Sequence, residues 1–401
     1  PFILTDTLRY DSLTNDADRE SFILNGGVAY QVTDRITVGL STNYSVATKA
    51  DQSDPRLQSN AARTTVLPGI DISLGARYSL GLSGLVEIYH EDIESSVQDN
   101  LITEHNNVYI LKALGIHEGK DGLGYKRRYD GKLFGASMQS SYTGKEIKDY
   151  TEISFNMNKE NALDGGTSYQ YHGGDFSQTT IKLNNRLHFV TNSLVHNLSL
   201  SAKMESSKGL WYNQKQIKDN WGQKNYQVLS QEIIHKESNL SAGISYRIDK
   251  TRNGLTNFST IINAGFSNVS VNQYPEENHA DYSKINAGME MKKRFHISSD
   301  ILEVHVSGSY EKAINPLDIS VATPKPADKR FYRGYFLPKY EYLASDSYSA
   351  GLGFSYYNSS LMDNCTIRIS GNGSFRGYLG DYPAFCDGNR VYSDISVGLI
   401  F

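Results

Sequence analysis

Residues 391–401 read VYSDISVGLIF. In an extended chain Val391, Ile395, Val397, Leu399 and Phe401 fall on one side, and Tyr392, Asp394, Ser396 and Gly398 on the other. A period of two belongs to a strand whose faces meet different media. An alternating run that closes on an aromatic residue reads as the last strand of a barrel, with lipid or core on one face and a polar interior on the other.

The same alternation recurs upstream. In 35–46, Ile36, Val38, Leu40, Tyr44 and Val46 alternate with Arg35, Thr37, Gly39, Ser41, Asn43 and Ser45. In 70–80, Ile70, Ile72, Leu74, Ala76, Tyr78 and Leu80 alternate with Asp71, Ser73, Gly75, Arg77 and Ser79. Ile181, Leu183, Leu187 and Phe189 oppose Lys182, Asn184, Arg186 and His188, and Leu240, Ala242, Ile244, Tyr246 and Ile248 oppose Ser241, Gly243, Ser245 and Arg247. Leu302, Val304, Val306 and Tyr310 oppose Glu303, His305, Ser307 and Ser309.

A mean hydropathy of -0.47 with 21% charged residues would suit a soluble protein. No stretch is apolar enough for a membrane-spanning helix, which needs roughly 18 or more consecutive apolar residues. No apolar signal segment opens the chain, and a start at Pro1 is expected to reflect processing or truncation. The 28 Tyr and 34 Gly against 9 Pro favour many strands, Tyr at half-buried surfaces and interfacial girdles, Gly at turns and crowded interior positions. A net charge of -4 argues against a nucleic-acid partner. With no linker, low-complexity tract or charge block, residues 1–401 are expected to form one domain.

A soluble sandwich also alternates, so strand length and connections decide. The segments run to roughly 10–16 residues against the usual ~5–6 of soluble sheets. Connections alternate between short (Thr33 and Asp34, Gly81 to Ser83, Gly144 to Glu146, Thr191 and Asn192, Asp249 to Gly254, Ser298 to Asp300, Asn358 to Asp363) and long (51–63, 99–130, 161–173, 209–233, 314–341, 378–388). This predicts an all-β, transmembrane, antiparallel up-and-down barrel. With PFILTDTLRY as its first strand the count is about 16, and 14 to 18 are possible. Residues 226–249 read as a strand, a loop or one irregular crossing.

On this pattern the chain resembles the outer-membrane β-barrel proteins of Gram-negative bacteria over its whole length. Phe401, Leu399 and Val397, with Ile395 and Gly398, look like the carboxy-terminal signal read by the barrel-assembly machinery. The Tyr- and Asn-rich texture resembles uncharacterised barrels of Bacteroidota. The resemblance implies the cell outer membrane, with lipid and lipopolysaccharide around the wall, extracellular loops and short periplasmic turns. It also allows surface lipoproteins or a TonB-dependent transporter as partners. Nothing matches such a transporter itself, since the chain is too short for a 22-stranded barrel and shows no amino-terminal plug.

Alternation assigns Arg35, Asp71, Arg77, Glu87, Lys182, Arg186, His188, Lys203, Arg247, Glu303, His305, Arg368 and Asp394 to the lumen. Mixed charges of this kind form ion-pair ladders that stiffen a polar interior. The functional alternative is an eyelet that selects solutes by charge. His90, Glu91, Asp92 and Glu94 are the densest group of potential metal ligands, but no H-E-x-x-H, C-x-x-C or calcium-loop spacing is present, and a hydrated rim is expected. No G-x-S-x-G occurs. No catalytic residue, cofactor or metal is assigned, and the protein is expected not to be an enzyme. Cys365 and Cys386 are expected to be unpaired, a bilayer's thickness apart.

The long connections carry the interaction candidates. Trp211 and Trp221, the chain's two tryptophans, lie in GLWYNQKQIKDNWGQKNY (209–226), which suits a protein interface, sugar stacking or packing of the loop on itself. Arg127 and Arg128 in 99–130, and Arg330 and Tyr332 in 314–341, are candidates to meet anionic polysaccharide or a partner, or equally to pair with acidic loops beside them. Two main functions follow: a porin-like channel for small polar solutes, or a non-conducting barrel subunit that docks a lipoprotein or transporter through its loops. An outer-membrane hydrolase is a third, minor reading.

Overall fold

Among residues 17–51, 56–96, 107–112, 116–121, 124–165, 171–218, 222, 224–252, 255–274, 278–320, 337–362, 365–379 and 389–400, which the computed structural model describes, almost every residue is in a strand. In chain order these are β1 (Ala17–Thr33), β2 (Ile36–Asp51), β3 (Arg56–Ser73), β4 (Tyr78–Ser96), β5 (Asn107–Lys112), β6 (Ile116–Asp121), β7 (Lys126–Thr143), β8 (Ile147–Asp164), β9 (Tyr171–Thr191) and β10 (Leu194–Lys218). They are followed by β11 (Lys224–Arg252), β12 (Leu255–Gln273), β13 (Asn278–Ile297), β14 (Asp300–Ser320), helix α1 (Leu337–Ala344), β15 (Asp346–Met362), β16 (Cys365–Leu379) and β17 (Asn389–Ile400).

One 15-stranded sheet runs from β1 to β17 in chain order, and β5 and β6 pair separately as a hairpin in the β4–β7 connection. Every pairing is antiparallel, which gives the up-and-down topology of a barrel wall. Because direction alternates, β1 and β17 run the same way. The opening PFILTDTLRY, taken above as a further strand, lies outside the described residues.

One end of the sheet is turned by tight links. Asn192 and Ser298 take φ of 53° and 57° in two of these, the left-handed conformation that two-residue hairpins need and Asn tolerates better than Ser. A correction falls here. Gly81 to Ser83 lie inside β4, and the turn is Leu74–Arg77. The two strands pair Ile72 with Leu80, so an even position meets an even one and the alternation runs through the turn unbroken, hiding it. The other end carries the long connections, shorter than expected because the strands extend into them. Residues 226–249 are part of the single strand β11.

Large apolar side chains stand exposed on the outer face: Leu80, Leu82, Val86 and Ile88 on β4, Phe134 and Met138 on β7, Leu352 and Phe354 on β15, Ile395 and Val397 on β17. Aromatic contacts mark both margins of this band. At the tight-turn end Tyr78 lies 4.7 Å from Tyr142 and Phe189 stacks on His196 at 4.5 Å, and at the other Tyr348 lies 5.7 Å from Phe375. An apolar band about 9–11 residues tall between aromatic girdles is the wall of a membrane barrel.

Candidate functional site: the inner face

The polar face of the sheet is built by the complementary positions. Asp71, Glu87, Lys182, Arg186, His188, Lys203, Arg247, Glu303, His305, Arg368 and Asp394 share it, as the register shows from pairs such as Lys182–Lys203 and Arg368–Gly398. Arg35 and Arg77 lie just beyond the strand ends. Both sit in tight turns, exposed, with their carbonyls accepting bonds from Ser73 and Thr143.

Most charges on this face are neutralised locally. Arg63 meets Glu87 at 3.3 Å, Lys203 meets Glu205 at 2.7 Å, and Arg247 meets Asp249 at 2.8 Å. Glu303 is held between Lys292 (3.3 Å) and Arg294 (2.7 Å). Asn372 donates to Asp394 at 2.9 Å, and Arg368 lies over the Tyr357 ring at 5.7 Å. Gly353 lets His305 and Asn372 close over its backbone, where a Cβ would strike both.

Two clusters crowd the inner face toward the long-connection end. In the first, Arg127 is 2% exposed and grips Asp164 with Nε (2.5 Å) and Nη2 (2.8 Å), while Nη1 donates to Tyr129 at 3.2 Å and Tyr125 donates to Asp164 at 3.1 Å. Leu57, Tyr89, Ile93, Tyr129, Ala162 and Phe176 pack around it. Of the two readings given for Arg127, it takes the pairing with an acidic neighbouring segment, from a strand rather than a loop. It opens β7 and its register places it opposite Asp164. Arg128, one residue on, points to the outer face and pairs with Asp92 at 2.9 Å. Trp211 likewise lies in a strand rather than a loop, and of the readings given for it takes the packing one. It is a buried residue of β10, packed on Ile234 and 5.9 Å from Tyr171, because a register shift after Gly209 leaves Ile234 as an extra residue beneath it.

In the second cluster α1 lies against β12–β14 on the inner face, with Tyr340 and Ala344 packed on Val269, Val271, Ala280 and Tyr282. Lys284 donates to the Leu343 carbonyl at 3.0 Å and pairs with Glu311, which also accepts from Ser347 (3.1 Å) and Arg376 (2.9 Å). Tyr342 donates to Tyr378, and Arg390 covers the Tyr342 ring at 5.0 Å. No signal in the alternation announced this, since 314–341 was read as loop. The Lys284, Glu311 and Tyr378 side chains that clamp the helix come from three separate strands, β13, β14 and β16.

The group at 90–94 divides between the faces. His90, Asp92 and Glu94 project outward above the apolar band, where His90 Nδ1 meets Asp130 at 2.7 Å and Nε2 meets Asp92 at 3.0 Å, and Lys126 meets Glu94 at 2.7 Å. The hydrogen bond to Asp130 raises the His90 pKa above 6.5, burial works against it, and Asp92 adds to the rise. Glu91 points inward and is 1% exposed. Beside it β1–β4 line a half-open hollow of about 510 Å³. Trp221, Arg330, Tyr332, Phe401 and Cys386 lie outside the described residues, while Leu399 and Val397 stand exposed on the outer face of β17.

With this geometry in view, the chain was compared with known proteins. A family model described as a family of unknown function (DUF6850) matches residues 1–401. The curated proteins give no match. Among solved structures the chain is similar to the copper transporter OprC (TM-score 0.50, 7% identity, 96% of this chain and 64% of that one). It is also similar to the ferric-catecholate import receptor Fiu of Escherichia coli K12 (TM-score 0.50, 12% identity, 96% and 62%). The E. coli outer-membrane transporter YddB matches at TM-score 0.46 and 11% identity over 90% and 55%. The chain thus spans less than two thirds of the length of each. At these identities the likeness shows the fold alone, an outer-membrane β-barrel of Gram-negative type.

Proposed function

The chain belongs to this family of unknown function, and from its geometry we infer that the barrel is a channel for small polar solutes, its long connections facing the exterior. The observation that carries this is the inner face. Between the two crowded clusters and the tight turns it is lined by short hydroxyl and amide side chains, such as the hydrogen-bonded pairs Ser83–Ser137, Ser309–Ser349 and Ser370–Ser396. Such a lining offers hydrogen-bond partners to water and solute without filling the space, while ion pairs within the wall neutralise many of its charges and weaken the preference for either sign of ion.

Single-channel recording in planar bilayers tests the reading. Discrete, weakly ion-selective steps are expected. A barrel that inserts and gives none would favour the second reading, a sealed subunit that docks a lipoprotein or transporter, which the inward position of α1 on β12–β14 supports. A hydrolase is the third reading: Ser320 meets His279 Nδ1 at 2.8 Å and His279 Nε2 meets Asp318 at 3.2 Å, a hydroxyl beside a base that a carboxylate orients.

A further inference from the structure

Four lysines come level on the outer face of β7–β11. Lys132 of β7 stands directly opposite Lys159 of β8, Lys159 opposite Ser177 of β9, Ser177 opposite Lys208 of β10, and Lys208 opposite Lys236 of β11. Each lies on the same side of its strand as exposed apolar residues: Phe134 and Met138, Ile153 and Phe155, Met204, and Leu240. The row is displaced toward the long connections from the level of Phe155, Ile181, Met204 and Leu240, by about 13 Å at ~3.3 Å per residue. Thr179, Ser206 and Ser238 form the level between. Apolar, hydroxyl and cationic side chains thus follow one another up the wall, as hydrocarbon, ester and phosphate do in a lipid leaflet.

The register sets like charges together twice, in Lys132–Lys159 and Lys208–Lys236, an arrangement that destabilises a bare sheet. All four side chains are exposed, and among the described residues none forms an ion pair. Lys236 lies over the Tyr274 ring at 5.5 Å, a contact that leaves its charge uncompensated. Basic residues nearer the long connections differ, since Lys126 pairs with Glu94 at 2.7 Å and Arg128 with Asp92 at 2.9 Å. The acidic residues of the next outer row, Asp130 and Asp175, are engaged by His90 at 2.7 Å and by the Tyr212 hydroxyl at 2.5 Å, and neither forms an ion pair with the lysines. The counter-ion has to come from outside the chain.

We propose that this row binds a lipid whose headgroup carries two phosphates, one on Lys132 and Lys159 and the other on Lys208 and Lys236. Its acyl chains lie down the apolar wall beneath. At ~4.8 Å between strands the centres of the two lysine pairs are three spacings, roughly 14 Å, apart. That span suits phosphates at the two ends of a disaccharide and is wide for two joined through one glycerol. Ammonium groups meet phosphate as point charges, and the Thr179, Ser206 and Ser238 hydroxyls are placed to bond sugar and ester oxygens. The continuous apolar surface below the row is what selects a lipid over a free phosphate. The inference rests on the channel reading in one respect: the long connections face the exterior, the leaflet of phosphorylated glycolipid.

The test is titration of the full chain in neutral detergent with diphosphoryl lipid A, monophosphoryl lipid A, phosphatidylglycerol and inorganic pyrophosphate, followed by native mass spectrometry. Saturable binding of diphosphoryl lipid A is expected, about tenfold or more tighter than that of the monophosphoryl form, with the other two weaker still. Lys159→Gln with Lys208→Gln is expected to weaken diphosphoryl lipid A about tenfold or more and to narrow the gap between the two forms. Lys145→Gln, in the tight turn between β7 and β8 at the other end of the wall, is expected to change nothing. Without lipid the double variant is expected to melt no lower than the parent, since each change removes a like-charge pair. Absence of lipid A binding, equal binding of its two forms, unchanged binding by the double variant, or an equal loss in Lys145→Gln overturns the site. Tighter binding of pyrophosphate than of lipid A overturns the lipid as occupant. Preference for phosphatidylglycerol overturns the occupant and with it the exterior placement of the long connections, whereas a protein that conducts without any lipid preference loses only the site.

Discussion

Arg127 shows how much one residue's face matters. Its guanidinium is buried against Asp164 with two parallel hydrogen bonds, and removing it leaves a buried carboxylate to which the Tyr125 hydroxyl still donates. Arg127→Ala is therefore expected to cost about 3–5 kcal/mol in unfolding in detergent. Replacing both partners, Arg127→Leu with Asp164→Leu, is expected to recover most of it, since an apolar pair of similar volume avoids the desolvation cost. A small loss in the single variant would mean that the site is wet. From sequence Arg127 and Arg128 were indistinguishable neighbours. The pleat sends one into the core and the other to the outer face, and only the starting point of β7 decides which.

His90 gives a pH dependence with a definite sign. Both ring nitrogens face carboxylates, which favours the doubly protonated imidazolium. Its pKa is raised in the folded protein, so its contribution is complete below the free value of 6.5 and is lost as pH climbs through the folded value. The melting temperature in detergent is expected to fall on going from about pH 6 to about pH 9. His90→Gln is expected to flatten that part of the slope, and an identical slope in the variant would remove His90 as its cause.

Among the elements, the strands were legible and the helix was not. Alternation locates a strand's faces well and its ends poorly, as the hidden turn at Leu74–Arg77 shows, and it cannot see that β10 and β11 continue through 209–233 after a register shift. Helix α1 spans two turns of chain and carries no long apolar stripe, so nothing local marks it. Its place is set by Tyr340 and Ala344 fitting the apolar patch of Val269, Val271, Ala280 and Tyr282. Tyr340→Ser is expected to raise hydrogen exchange across 337–344 by about tenfold or more while the strands stay protected. Unchanged exchange would mean that the Lys284 and Tyr342 bonds alone hold the helix.

At the scale of the molecule the sequence determined the class of fold and the two solvents. Side-chain polarity with a period of two is a local property, repeated in every strand, and it requires an apolar outside and a polar inside whatever the details of packing. The inner-face positions within strands follow from the same rule, while Arg35 and Arg77 lie just beyond strand ends in the tight turns. Only the tertiary structure decided what occupies the interior: the Arg127–Asp164 core, the inward helix, and the hollow beside Glu91. Each depends on which residues come level across several strands, and that register is fixed by turns, bulges and packing between segments far apart in the chain.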